Sequence, residues 1–231
     1  MPYCFAREKH IMLRSTLVVL LCGVGWAAAA EGPKLPLAFE DDLEKGADRW
    51  QPTDAKAWKV VAADGRKVFS QFQASKYSPP HRSPLNIALV KDVIVGEFEL
   101  TVKAKSTCRD YGHRDLCLFF GYQDAKHFYY VHLGKQADRI SNQITIVNDA
   151  PRAPITVQKS PGTPWDDQWH QVKIVRRPAE GTIEVYFDDM QKPHMTANDK
   201  TFAWGQVGVG SFDDTGDWDD FKLWGKEAAR P

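Results

Sequence analysis

Beyond its first thirty residues this chain has no stretch longer than ten residues whose apolar positions recur at helical spacing. Strands are therefore the only element that can bury its hydrophobic side chains. Residues 96–105, GEFELTVKAK, show the period of two most cleanly, with Phe98, Leu100, Val102 and Ala104 on one face and charged or polar residues between them. Shorter runs at 37–41, 57–62, 66–73, 86–90, 142–148, 155–159, 169–177, 182–187, 205–212 and 217–224 read the same way. Turn signals separate many of them, Asp64-Gly65 being the strongest. Residues 42–50 read as a turn or short helix carrying Gly46, and 75–84, with three prolines, as a loop. About thirteen short strands with turns between them predict an all-β, two-sheet antiparallel sandwich.

The centre of the chain, residues 108–134, concentrates the side chains that bind or catalyse. Leu118, Phe120 and Tyr122 alternate with Cys117, Phe119 and Gly121, and an aromatic return strand carries Tyr130 and His132 on one side. Both faces of such a hairpin must be covered by protein or ligand. Just before it, Arg109, Asp110, Tyr111, His113, Arg114 and Asp115 fall within seven positions. That cluster reads either as a salt-bridged structural knot or as a polar-ligand site. His113 with Asp115 nearby would make an oriented acid-base pair, and His132, in mid-strand, is read as a general base or as a satisfied sheet histidine.

Residues 1–30 read as an export signal: basic residues up to Arg14, an apolar run of eleven residues and then four alanines. The run is too short to cross a bilayer, so the expectation is an exported periplasmic or extracellular protein with no transmembrane segment in the mature chain. A short tail (31–36), one domain (37–225) and a C-terminal tail (226–231) follow. Without residues 1–30, 27 basic residues stand against 29 acidic ones. No basic surplus remains to argue for nucleic acid. Aromatic content of 12 % with eight tryptophans suits a β protein, and also a surface that stacks on sugar rings. Two cysteines remain, Cys108 and Cys117, bracketing an eight-residue loop. In an exported protein they are expected to pair as a disulfide, the alternative being two buried thiols.

The phrases FEDDLE, GEFELTVKAK, FFGYQDAKHFYYVHLG, WHQVKIVRR, GTIEVYFDD and GQVGVGSF together resemble the concanavalin A-like lectin and glucanase jelly rolls. Within them the chain looks most like the bacterial secreted domains named for 3-keto-disaccharide hydrolase. The resemblance implies a jelly roll whose concave sheet floors a groove for carbohydrate. Tyr122, Tyr130 and His132 would then floor the groove, with Arg82, Arg109, His113 and Arg114 at its edge. The glucanase Glu-x-Asp-x-x-Glu set is absent from 116–123, and of the alginate-lyase pattern Gln143-Ile144-Thr145 keeps only the first two residues. The resemblance also implies a structural calcium held by Glu40, Asp219 and the backbone around Gly65. Three functions are compatible with it: a carbohydrate-binding module, a keto-disaccharide hydrolase or lyase using His113, Asp115 or His132, and a structural protein with no sugar site.

Overall fold

The structure, a computed structural model, describes residues 35–229. The expected export signal, with Cys4 and Cys22, lies outside the described residues. In chain order the strands are β1 (Leu37–Asp41), β2 (Trp50–Pro52), β3 (Trp58–Ala63), β4 (Arg66–Gln71), β5 (Asn86–Val90) and β6 (Val95–Ser106). The central hairpin is β7 (Asp115–Asp124) and β8 (His127–Gly134), followed by β9 (Gln143–Asn148), β10 (Ala153–Pro154) and β11 (Thr156–Lys159). β12 (His170–Arg177), β13 (Thr182–Phe187), β14 (Met195–Asn198), β15 (Gln206–Ser211) and β16 (Gly216–Glu227) complete the chain.

Nine strands form one antiparallel sheet in the order β11-β14-β13-β12-β6-β16-β4-β3, and β1 pairs with the second half of β16 where β4 pairs with the first. Seven form the other, in the order β10-β9-β8-β7-β15-β5-β2. The core lies between them. Phe98, Leu100, Val102 and Ala104 of β6 face inward, as the alternation predicts, and meet Leu116, Leu118 and Phe120 of β7 and Tyr129, Val131 and Leu133 of β8. Asp64 and Gly65 both take positive φ (51° and 79°), which is what a two-residue hairpin turn with the right twist requires.

The structure also settles what the sequence left open or missed. Residues 42–49 take the turn alternative, Trp50 opening β2, and among the described residues the one helical piece is the 3₁₀ turn Ala55–Ala57, where the Asp54 side chain accepts from the Lys56 N–H at 3.1 Å. β14 was not legible, because MTAN is short and carries no strong β-branched pattern. In β7 the strict alternation also breaks. Gly121 sits at φ +56°, the register with β8 shifts beyond Phe120, and Tyr122 turns to the outer face alongside Phe119 instead of following Leu118 and Phe120 into the core. Such a bulge re-aims every side chain beyond it. Glycine is required at both sides of this approach, since a Cβ on Gly205 would lie 2.2 Å from the Gly121 carbonyl carbon.

Candidate functional site

The outer face of the seven-stranded sheet carries its own apolar layer. Ile87 and Leu89 of β5, Cys117 and Phe119 of β7, Phe128 and Tyr130 of β8 and Val147 of β9 pack together there, with Tyr77 and Tyr122 against them. All seven strand residues are buried, which an uncovered sheet face could not achieve. The cover comes from the proline-rich segment 72–85 between β4 and β5. It meets the turn after β9 through the Arg152 N–H donating to the Arg82 carbonyl (3.2 Å) and through His81 and Asp149 (3.1 Å). A glycan therefore has no open aromatic floor at Tyr122 and Tyr130. Tyr130 is fully buried and its hydroxyl accepts from Arg152 at 3.2 Å, and Tyr122 is half-buried against Phe128.

Beside that cover a polar cavity of about 220 Å³ stays open. His132, Asp115 and Phe212 contribute from the strands and their ends, and Arg82, His113, Arg152 and Asp213 from loops. Phe212 is its flat surface: the His132 ring stacks on it at 6.0 Å, and the Arg152 and Arg82 guanidinium carbons lie 4.1 and 5.6 Å from its centroid. Sequence reasoning found Arg82, His113, Asp115 and His132. It missed Arg152, Phe212 and Asp213, because only the fold brings the turns after β9 and β15 to this place.

His132 and Asp115 converge, but inwardly. His132 Nε2 stands 3.3 Å from Asp115 Oδ2, and Nδ1 donates to the Ile140 carbonyl at 3.0 Å. Asp115 Oδ2 also accepts from the Phe212 N–H (2.9 Å) and the Cys117 thiol (3.4 Å). Burial alone would depress the His132 pKa, but the charge and hydrogen bond of Asp115 and the Ile140 carbonyl outweigh it and hold the ring above its ordinary value. With both nitrogens occupied, the ring is fixed in the wall and not a free general base.

The loop 108–115 is the structural knot. Asp214 gathers it, accepting from the Tyr111 hydroxyl (2.8 Å), the Cys108 thiol (3.1 Å) and the Asp115 N–H (2.8 Å). Arg114, 1 % exposed, donates to Ser106 Oγ and carbonyl, to the Asp166 carbonyl and to Asp167, at 2.7–3.0 Å. Arg114 is thus a pin inside the fold and not a groove-edge residue. Arg109 lies over the Tyr111 ring at 5.5 Å and does not line the cavity. Cys108 and Cys117 are free thiols, contrary to the expected disulfide, because each sulfur turns to a different carboxylate. Burial and these carboxylates raise both thiols, Cys108 to about 11, so neither is a reactive thiolate at neutral pH.

The trio expected for calcium lies among protein cations. Arg66 reaches Asp219 at 3.0 Å and Asp220 at 2.8 Å, Lys103 reaches Asp220 at 2.6 Å, and Glu40 stands opposite Lys222 in the β1–β16 register. Arg66 thus already meets Asp219, and Arg66 and Lys103 hold Asp220 down at about 2. Gly65 serves the hairpin turn. A larger hollow of about 440 Å³ lies beside Asp41, Asp48 and Arg49, but Arg49 is committed to the Glu40 carbonyl (2.7 Å) and the Phe39 ring, and no aromatic face is open there.

No family model matches the sequence, and no curated protein matches it. Solved structures do match the fold. The carbohydrate binding module CBM66 from Bacillus subtilis superposes with a TM-score of 0.53 at 16 % identity, covering 76 % of this chain and 95 % of that one. The fold is a two-sheet antiparallel jelly roll. A Bacillus subtilis protein of unknown function with a galectin-like fold matches it with a TM-score of 0.53 at 11 % identity, over 84 % of this chain and 98 % of its own. A putative glycosyl hydrolase from Parabacteroides distasonis gives 0.51 at 14 % identity, over 84 % and 100 %. At such identities the likeness establishes the jelly roll and leaves function to the site.

Two histidines report on this geometry with opposite signs. His194, hydrogen-bonded to Ser160 Oγ (3.0 Å) and Thr163 Oγ1 (3.1 Å), is pushed by burial down to about 4. Its neutral form is favoured in the fold, so stability falls as pH drops from about 6.5 towards about 4. The contribution of His132 is complete below about 6.5 and fades as pH rises through its higher folded value. An NMR titration of the histidine side chains is expected to show one ring titrating near 4 and another above 6.5; a His132 ring titrating below 6.5 would contradict the pairing with Asp115.

Proposed function

We propose that this chain is a carbohydrate-binding jelly roll that holds its glycan in the polar cavity around Phe212. One observation carries the reading. Two guanidinium groups, Arg82 and Arg152, lie against one half-buried aromatic ring, and among the described residues neither is ion-paired to a carboxylate. A flat apolar face flanked by uncommitted donors suits a sugar ring, which has an apolar face and a rim of hydroxyls. Asp213 supplies an acceptor for a hydroxyl on the same wall. The exported location expected from residues 1–30 belongs to the same reading, since it would bring the domain to extracellular or periplasmic glycans.

A second reading, glycoside hydrolysis, rests on a separate observation. Asp213 is raised by burial and by its neighbours Asp115 and Asp214, and these three carboxylates have oxygens within 4.8 Å of one another. Retaining hydrolysis uses a raised acid and a second carboxylate roughly 5 Å apart. Asp115, however, is 1 % exposed and its Oδ2 already holds three donors, which makes it a poor nucleophile. The test is calorimetric titration of the full chain with a panel of glycans, followed by analysis of the recovered sugar. Binding with the glycan intact, weakened at least tenfold by Phe212→Ala, is the expected result. Consumption that stops in Asp213→Asn would establish the hydrolase instead, and silence from every glycan would overturn both.

A further inference from the structure

We infer that the cavity takes the terminal unit of an acidic glycan, its carboxylate lying between Arg82 and Arg152. This rests on the carbohydrate reading above and narrows it to a substrate class and a direction of entry.

The charge argument comes from what each group already holds. His132 and Asp115 face each other at 3.3 Å and are taken up with one another. Arg152 spends one N–H on the Tyr130 hydroxyl, an uncharged partner, and the Arg82 side chain has no hydrogen-bond partner among the described residues. Asp213 is the remaining carboxylate on the wall. Neither guanidinium group is ion-paired to a carboxylate among the described residues, so both are open to an anion that enters the cavity. Arginine's planar fork matches a carboxylate with two parallel hydrogen bonds, worth more than any hydroxyl contact. The hydroxyls then fall to Asp213, and the ring face to Phe212.

The end-on argument comes from size and cover. The cavity measures about 220 Å³. That is below the 300–1,000 Å³ or so of sites for drug-sized ligands, and leaves room for a single sugar ring. Beyond it the sheet face is sealed: Phe119, Phe128 and Tyr130 are 0–1 % exposed beneath Tyr77 and the bridge between Arg82 and Arg152. A chain cannot run on across the sheet, so it must enter by its end.

The experiment titrates the full chain with the methyl glycosides of glucuronic, galacturonic and mannuronic acid, with their neutral hexose counterparts, and with sulfate-ester hexoses. At least one uronide is expected to bind ten times more tightly than its neutral counterpart, with affinity falling as salt rises. Arg82→Gln, a change at an exposed side chain that should leave the fold intact, is expected to weaken uronide binding at least fivefold more than it weakens binding of the neutral sugar, removing most of that preference. A uronate oligomer is expected to bind within about twofold of the monomer glycoside. Equal affinity for uronides and neutral sugars would overturn the acidic preference and leave the carbohydrate reading standing. Binding of sulfate esters without uronides would overturn the carboxylate assignment, and affinity growing tenfold with chain length would overturn end-on entry. No binding of any sugar would remove this inference and the reading beneath it together.

Discussion

Replacing Asp115 with alanine is expected to lower stability by about 3–5 kcal/mol, the usual cost of breaking a buried ion pair by removing one partner. Asp115 is 1 % exposed and joins three pieces of the chain: the Phe212 N–H at 2.9 Å, the His132 ring at 3.3 Å and the Cys117 thiol at 3.4 Å. Without it the Phe212 N–H loses its acceptor, and a buried imidazole has only the Ile140 carbonyl opposing its desolvation. The variant has a second signature that general damage would not produce. The His132 ring, now governed by burial, should titrate below 6.5 instead of above it. Urea denaturation followed by tryptophan fluorescence, beside an NMR titration of His132, measures both. A loss under about 1 kcal/mol with an unchanged titration would show that the pair does not form.

Arg114→Met should be nearly as costly, at about 3 kcal/mol, while leaving the cavity's affinity for sugar intact in the molecules that remain folded. Methionine fills much of the same volume, so the loss is chemical: the Ser106 hydroxyl and carbonyl and the Asp166 carbonyl are left without the guanidinium that served them. These contacts tie the start of β7 to the end of β6 and to the turn before β12. Loop 108–115 should loosen first, which hydrogen exchange at its amides would detect. If Arg114→Met instead abolished binding with stability unchanged, Arg114 would be a ligand contact after all.

These two residues also show how far the sequence could be read. Period-two patterning with strong turns locates most of the strands, since each is a local property of a few residues. It also places Tyr130 and His132 on one face of β8, where the structure has them. Patterning fails where a single backbone torsion intervenes: Gly121, at φ +56°, sends Tyr122 to the outer face against the parity of the strand. The side chains of the cluster Arg109 to Asp115 are visible in the sequence, but their partners are not. Arg114 is claimed by Ser106 and Asp166, and Asp115 by Phe212 and His132, at separations that no local pattern encodes. His170 has the same history: it shows no partner in sequence, yet stands between Asp188 at 2.8 Å and Asp166 at 3.0 Å. Arg152 and Phe212 carry the site from turns; Phe212 closes the phrase GQVGVGSF, which marks the fold and not a site, so only the fold could nominate them.

The central claim is that glycan binds at Phe212 under Arg82 and Arg152. A crystal structure of the full chain with the tightest-binding glycan of the panel tests it most directly. The account predicts one terminal sugar ring lying on Phe212, with both guanidinium groups within hydrogen-bond distance of it and the rest of the glycan leading out to solvent. A ring found instead on the outer face of the nine-stranded sheet, in the open hollow beside Trp224 and Lys222, would contradict it.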